Sequence, residues 1–185
     1  MLPITIPEQR LWDESTEEFV NVKETHLQME HSLISLAKWE SKWHKPFLDK
    51  KTKKTDEEYR DYFRCMTLTQ NVDPAVYRYM SKDTVKKILD YIDDPMTATW
   101  FSENKNAQNG AAKKQEVITA EIIYYWMVTL NIPVQFEKWH LNRLITLIRV
   151  INAKNTPPKK MSKRDTYARN TKMNAVRRAA MKSRG

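Results

Sequence analysis

Glycine occurs twice in 185 residues, at Gly110 and Gly185. That scarcity bears directly on fold. Dinucleotide-binding folds and phosphate-binding loops use several glycines, so that backbone can approach phosphate and adopt positive φ. No such motif can be assembled here, which argues against the nucleotide-dependent enzymes built on them.

Charge divides the chain into two regions. Residues 154–185 hold eleven basic side chains and a single acid, Asp165. The remaining 153 residues hold 21 bases and 22 acids. A nearly neutral body, residues 1–153, therefore carries a strongly cationic arm, residues 154–185. The body is long enough to bury a core, and the 41% hydrophobic fraction and six Trp favour a globular fold over disorder. Thr156-Pro157-Pro158 reads as a stiff linker into the arm.

The single cysteine, Cys65, has no partner for an internal disulfide, which suits a reducing compartment, and it is expected in the core. No secretory leader is read at the N-terminus. The longest apolar stretch, Ile122 to Leu130, is too short to span a hydrocarbon layer of about 30 Å, so no membrane partner is expected.

The expected fold is mainly α within an α+β class: an essentially all-α body with an N-terminal β-hairpin, and a flexible basic C-terminal helix. The hairpin is predicted from the β-prone runs flanking Asp13-Glu14-Ser15-Thr16, with a third strand at Leu27 and Met29 left open. Helices follow from caps and periodicity. Ser32 opens one. Thr55 with Glu58 forms a capping box, Asp73-Pro74 a cap with proline at the first helical position, and Ser81 or Asp83 a further start. Residues 104–114 read as an exposed polar loop. Val117 to Asn131 is apolar nearly all round and predicts a central buried helix. Val134 to Ala153 predicts a second helix packed antiparallel against it across Pro133. Ser162 with Asp165 would cap the helix of the arm.

No pattern for catalysis emerges. His26, His31, His44 and His140 lack the spacing of a zinc site, and Cys65 lacks a recognisable base. No metal, cofactor or catalytic residue is expected. Trp39, Trp43, Trp126 and Trp139 are expected in the core. Trp100 and Phe101, which precede the polar loop, are the favoured exposed pair. The other candidate partner-binding residues are the arm cations Lys159, Lys160, Lys163, Arg164, Arg169, Lys172, Arg177, Arg178, Lys182 and Arg184. They suit either an acidic or helical protein partner or nucleic acid, or form a solvated tail. Against nucleic acid, the arm offers Tyr167 as its single aromatic stacking platform.

Several phrases resemble the tail assembly chaperones of long-tailed bacteriophages. They are HSLISLAKWESKW from His31 to Trp43, MTLTQNVDP from Met66 to Pro74, MTATWF from Met96 to Phe101, IIYYWM from Ile122 to Met127, and WHLNRL from Trp139 to Leu144. The likeness spans roughly residues 1–153. It implies a non-enzymatic protein of the host cytoplasm that coats the helical tape measure protein, keeps it soluble and recruits tail tube subunits. In that family a longer form can arise by translational frameshifting. Nine methionines suit the adaptable packing such a role requires. The alternative is a small phage accessory protein that binds nucleic acid through the arm. Self-association stays open.

Overall fold

Alternating apolar and polar residues from Leu2 to Met29 build a long β-ribbon. In the computed structural model β1 (Leu2–Ile6) pairs antiparallel with β4 (Thr25–Met29), and β2 (Gln9–Asp13) with β3 (Glu18–Val22). The residue numbers of every pair add to the same total, from Leu2↔Met29 to Asp13↔Glu18, so a single register runs through both sheets. They are two halves of one hairpin, interrupted beside Pro7, which has no N–H to offer a ladder. The all-α description therefore fails: among the described residues seven α-helices accompany two small antiparallel sheets in an α+β fold. The expected hairpin is present as the pairing of β2 with β3, and the third strand left open at Leu27 and Met29 is present as β4; its pairing with the first residues of the chain was not foreseen. Leu27 and Met29 pair with the first residues of the chain and turn inward with Ile4 and Ile6.

The structure describes residues 1–14, 17–99, 101, 117–156 and 163–181. Ser15, Thr16, Trp100, the polar loop 104–114, Pro157, Pro158, Lys159, Lys160, Ser162, Lys182 and Arg184 lie outside them. The chain divides into two compact units, Met1–Ile151 and Asn152–Gly185.

The first four helices start where hydroxyl and carboxylate side chains cap them. Ser32 and Ser35 form a reciprocal box at the start of α1 (Leu33–Trp43), and Thr55 and Glu58 do so for α2 (Asp56–Met66). Asp73 caps the short α3 (Pro74–Arg78), and Ser81 caps α4 (Lys82–Asp93). Glycine scarcity shows at the left-handed positions. Glu17, His44, Asn71, Met96 and Asn131 all take positive φ. Asn131 closes α5 (Ala120–Thr129): its N–H bonds Val128 O, while the Ile132 N–H reaches back to Met127 O at 2.8 Å. This is a Schellman ending with asparagine in the usual glycine place, and Ile132 and Met127 are both buried beside it.

Two expectations about this region need correction. Residues Val134–Lys138 form a 3-10 turn, and α6 (Leu141–Asn155) begins only at Leu141. The interruption has a cause in the pairing of backbone groups. His140 bridges Ser32, and the Leu141 N–H donates to His31 O at 2.7 Å, so this stretch is tied to the start of α1. Nor is α5 chiefly the partner of α6; it lies against α1.

Glu40 explains that placement. Its side chain is buried, and one carboxylate oxygen accepts the Phe47 N–H at 2.9 Å while the other accepts the Ala120 N–H at 2.7 Å. Thr119 stands at the N-cap of α5 but makes no side-chain cap bond, so a residue of α1 caps α5 instead. Burial raises the Glu40 pKa, and the two backbone donors oppose that rise. Around it sits an aromatic core. Phe47 stacks on Tyr62 with ring centroids 3.7 Å apart, and Trp39 donates its indole N–H to Glu58 O at 2.8 Å. Trp39 is fully buried, but Trp43, Trp126 and Trp139 are half-buried, as is Cys65. The core expectation thus holds in full only for Trp39.

Glu40→Ala should destabilise the fold by about 2–3 kcal/mol, because it leaves two buried N–H groups unpaired. Glu40→Gln, which keeps one acceptor oxygen, should lose less. Urea unfolding measures both, and a loss below about 1 kcal/mol for the alanine variant would show that the α1–α5 tie is dispensable. His44 ends α1 with φ at 52° and is exposed. His44→Gly should therefore raise stability by up to about 1 kcal/mol in the same assay, since glycine takes this conformation without a Cβ clash.

Candidate interaction surface

The strongest concentration of titratable groups lies inside the first unit. His31 and His140, remote in sequence, meet with ring centroids 5.1 Å apart. His31 Nδ1 lies 2.5 Å from Tyr62 Oη. Burial pushes the Tyr62 pKa far up, so the phenol keeps its proton and donates it to the imidazole. Burial, then the neighbouring His140, drives His31 down to about 3. His140 Nε2 donates to Tyr91 O at 3.0 Å, while its Nδ1 is buried without a hydrogen-bond partner. Burial lowers its pKa as well. The Tyr91 hydroxyl donates to Glu30 Oε1 at 2.8 Å, and the Met1 amino group lies 2.7 Å from Glu30 Oε2.

This network ties the start of α1 to α2, α4 and the segment before α6. Each ring is neutral, and His31 is 1% exposed. Cys65 is equally quiet, because burial and then Asp61 raise its thiol pKa. Among the described residues no three His, Cys, Asp or Glu side chains are grouped to hold a metal ion. Two of the carboxylates of the groove beside α2 and α3 are paired with neighbouring cations: Asp61 with Lys42 and Arg64, each at 2.9 Å, and Asp56 with Arg60 at 2.6 Å.

Apolar surface is what the first unit leaves uncovered. On α5, Ala120, Ile123 and Met127 face inward. Tyr125 and Val128, on the opposite side, are 66% and 77% exposed, and Val134 just beyond the turn is 62% exposed. The expected all-round burial of this helix is wrong. A helix that is apolar all round reads as buried, so the sequence carried no mark of the face that meets solvent. Nearby in sequence, Phe136 stacks on Trp139 with centroids 4.1 Å apart, and the Arg143 guanidinium sits 4.4 Å from the Trp139 centroid. The Tyr124 hydroxyl donates to Glu137 at 2.9 Å, and burial with that bond raises its pKa to about 12. A second exposed cluster was also missed. On the outer face of the ribbon tip Trp12 and Phe19 meet edge to face at 5.0 Å, with Arg10 at 4.5 Å from the Phe19 ring. They are cross-strand partners, so strand pairing brings them together.

The predicted site residues fall as follows. Phe101 is exposed, at 39%. Lys163, Arg164, Arg169, Lys172, Arg177 and Arg178 lie on α7 (Lys163–Met181), whose residues are all exposed. The remaining five, Trp100, Lys159, Lys160, Lys182 and Arg184, are outside the described residues. Among the described residues no helix is long and apolar enough to cross a membrane.

The histidine pair makes a testable statement about pH. Both pKa values are lower in the folded chain than the ordinary 6.5. Below that pH the unfolded chain takes up protons that the folded chain refuses, so stability falls as pH drops from about 6.5 toward 3. The thermal midpoint should therefore decline already between pH 6.5 and 5, where ordinary carboxylates stay ionised. Ring nitrogen shifts should show folded His31 neutral at pH 5; a protonated ring there would contradict the geometry. No protein-family model matches the chain, and neither a curated protein nor a solved structure does.

Proposed function

We propose that this protein works by gripping another macromolecule, as a tail assembly chaperone of a long-tailed bacteriophage acting in the host cytoplasm. Its client is the tape measure protein, whose long helices expose apolar faces before the tail is built, and it brings tail tube subunits to that client. The observation that supports this most is the outer face of α5, where Tyr125 and Val128 stand in solvent on a helix with almost no polar residues. Apolar side chains displayed together on one helix face suit a protein that covers apolar helices. The aromatic pair Trp12 and Phe19 extends the same chemistry to the ribbon tip. The reading as a non-enzyme draws support from the buried histidines, which are committed to internal bonds. A second reading, a nucleic-acid-binding phage accessory protein, is favoured by the exposed cations of α7.

Co-expression tests the first reading. The tape measure protein should stay soluble with the parent chain and precipitate with a Tyr125→Ser, Val128→Ser double variant. That variant should lie within about 0.5 kcal/mol of the parent in stability, because both side chains are exposed. Precipitation with the parent, or full solubility with the double variant, would remove the main support for a chaperone acting through α5.

A further inference from the structure

The arm has a charge geometry that the body's apolar surface does not explain. α7 runs from Lys163 to Met181 with six cations, Lys163, Arg164, Arg169, Lys172, Arg177 and Arg178, and one acid, Asp165. At 3.6 residues per turn they project at about 0°, 100°, 240°, 180°, 320° and 60° around the axis, leaving no cation-free sector wider than about 80°. This distribution discriminates among partners. A helix that lies on a membrane gathers its apolar residues on one side and its cations on the other. A helix that docks on a flat acidic protein surface is served by one cationic face. A helix charged on every side suits a ligand that presents negative charge along both flanks.

We infer that α7 binds duplex DNA, lying in the major groove between the two phosphate walls. The groove of B-form DNA is about 12 Å wide, and a helix with its side chains is about 10–12 Å across. The A-form major groove of RNA is too narrow to admit it. Because the cations are spread all round, any rotation of the helix about its axis presents about four of them to the phosphates. Binding of this kind has no preferred register, so it is independent of sequence. The scarcity of stacking aromatics, with Tyr167 alone in the arm, fits a duplex better than a single strand. This inference rests on the nucleic-acid reading of the arm and is separate from the α5 reading, so either can fail without the other.

Fluorescence anisotropy of the full chain with a labelled 20-base-pair duplex tests it. About four phosphate contacts predict a log–log salt slope near −3.6, or roughly 10²-fold weaker binding at 200 mM than at 50 mM salt. Two duplexes of unrelated sequence should bind within about threefold of each other, as contacts to phosphate alone require. Replacing Arg164, Arg169, Arg177 and Arg178 by Gln should abolish retention. Ala175→Pro keeps every charge but breaks the helix, and should weaken binding at least tenfold. Parent-like affinity in that proline variant would reveal an unstructured polycation and overturn the proposal. So would polyglutamate or duplex RNA binding as tightly as the DNA, or no retention at 50 mM salt.

Discussion

The Glu40 carboxylate sets the arrangement on which the first unit depends. Its two oxygens hold the Phe47 N–H, just after α1, and the Ala120 N–H, at the first turn of α5. Burying a carboxylate is unfavourable unless its charge is matched by donors, and here the donors are backbone groups that would otherwise be orphaned. One residue of α1 thus fixes an aromatic of the core and the direction of a helix eighty positions later. With α5 held there, Ala120, Ile123 and Met127 take its inward side and Tyr125 and Val128 its outward side.

Polar groups inside the first unit are nearly all used up in this way. Tyr62 serves His31, Tyr91 serves Glu30, Trp39 serves Glu58 O, and Glu58 itself accepts from Thr55 N and pairs with Lys45. Hydrogen bonds from Lys45 and the Thr55 N–H hold the Glu58 carboxyl below its ordinary range. Such a network specifies one packing. The surface is different: apolar on α5 and at the ribbon tip, cationic on α7. The two units therefore offer partners two kinds of attraction, one insensitive to salt and one steeply dependent on it.

The local features were legible in the residues. Ser32, Thr55, Asp73 and Ser81 mark helix starts because a side-chain oxygen must satisfy an N–H within the same turn, and that requirement leaves a short-range trace. What went unread was non-local. The pairing of Leu2 with Met29 depends on a partner 27 residues away, and the bond from Ala120 to Glu40 spans 80. Val134 continues an apolar pattern, yet the backbone of His140 is claimed by Ser32 and the helix starts late. The site divides in the same way. Lys163 to Arg178 could be named from charge alone, whereas Tyr125 and Val128 could not be told from core residues until the position of α1 was known. Trp12 and Phe19 needed strand register to become a pair.

The shared register of the ribbon limits how its length can drift among variants. Adding one residue to a single strand between Pro7 and Leu11 would slide every later pair and turn Leu11 outward and Trp12 inward. Matched additions on both strands, two residues at a time, would leave both faces intact and move Trp12 and Phe19 farther along the ribbon by roughly 7 Å per step. The reach of the tip is in that sense an adjustable dimension, and the identity of its outer face is not.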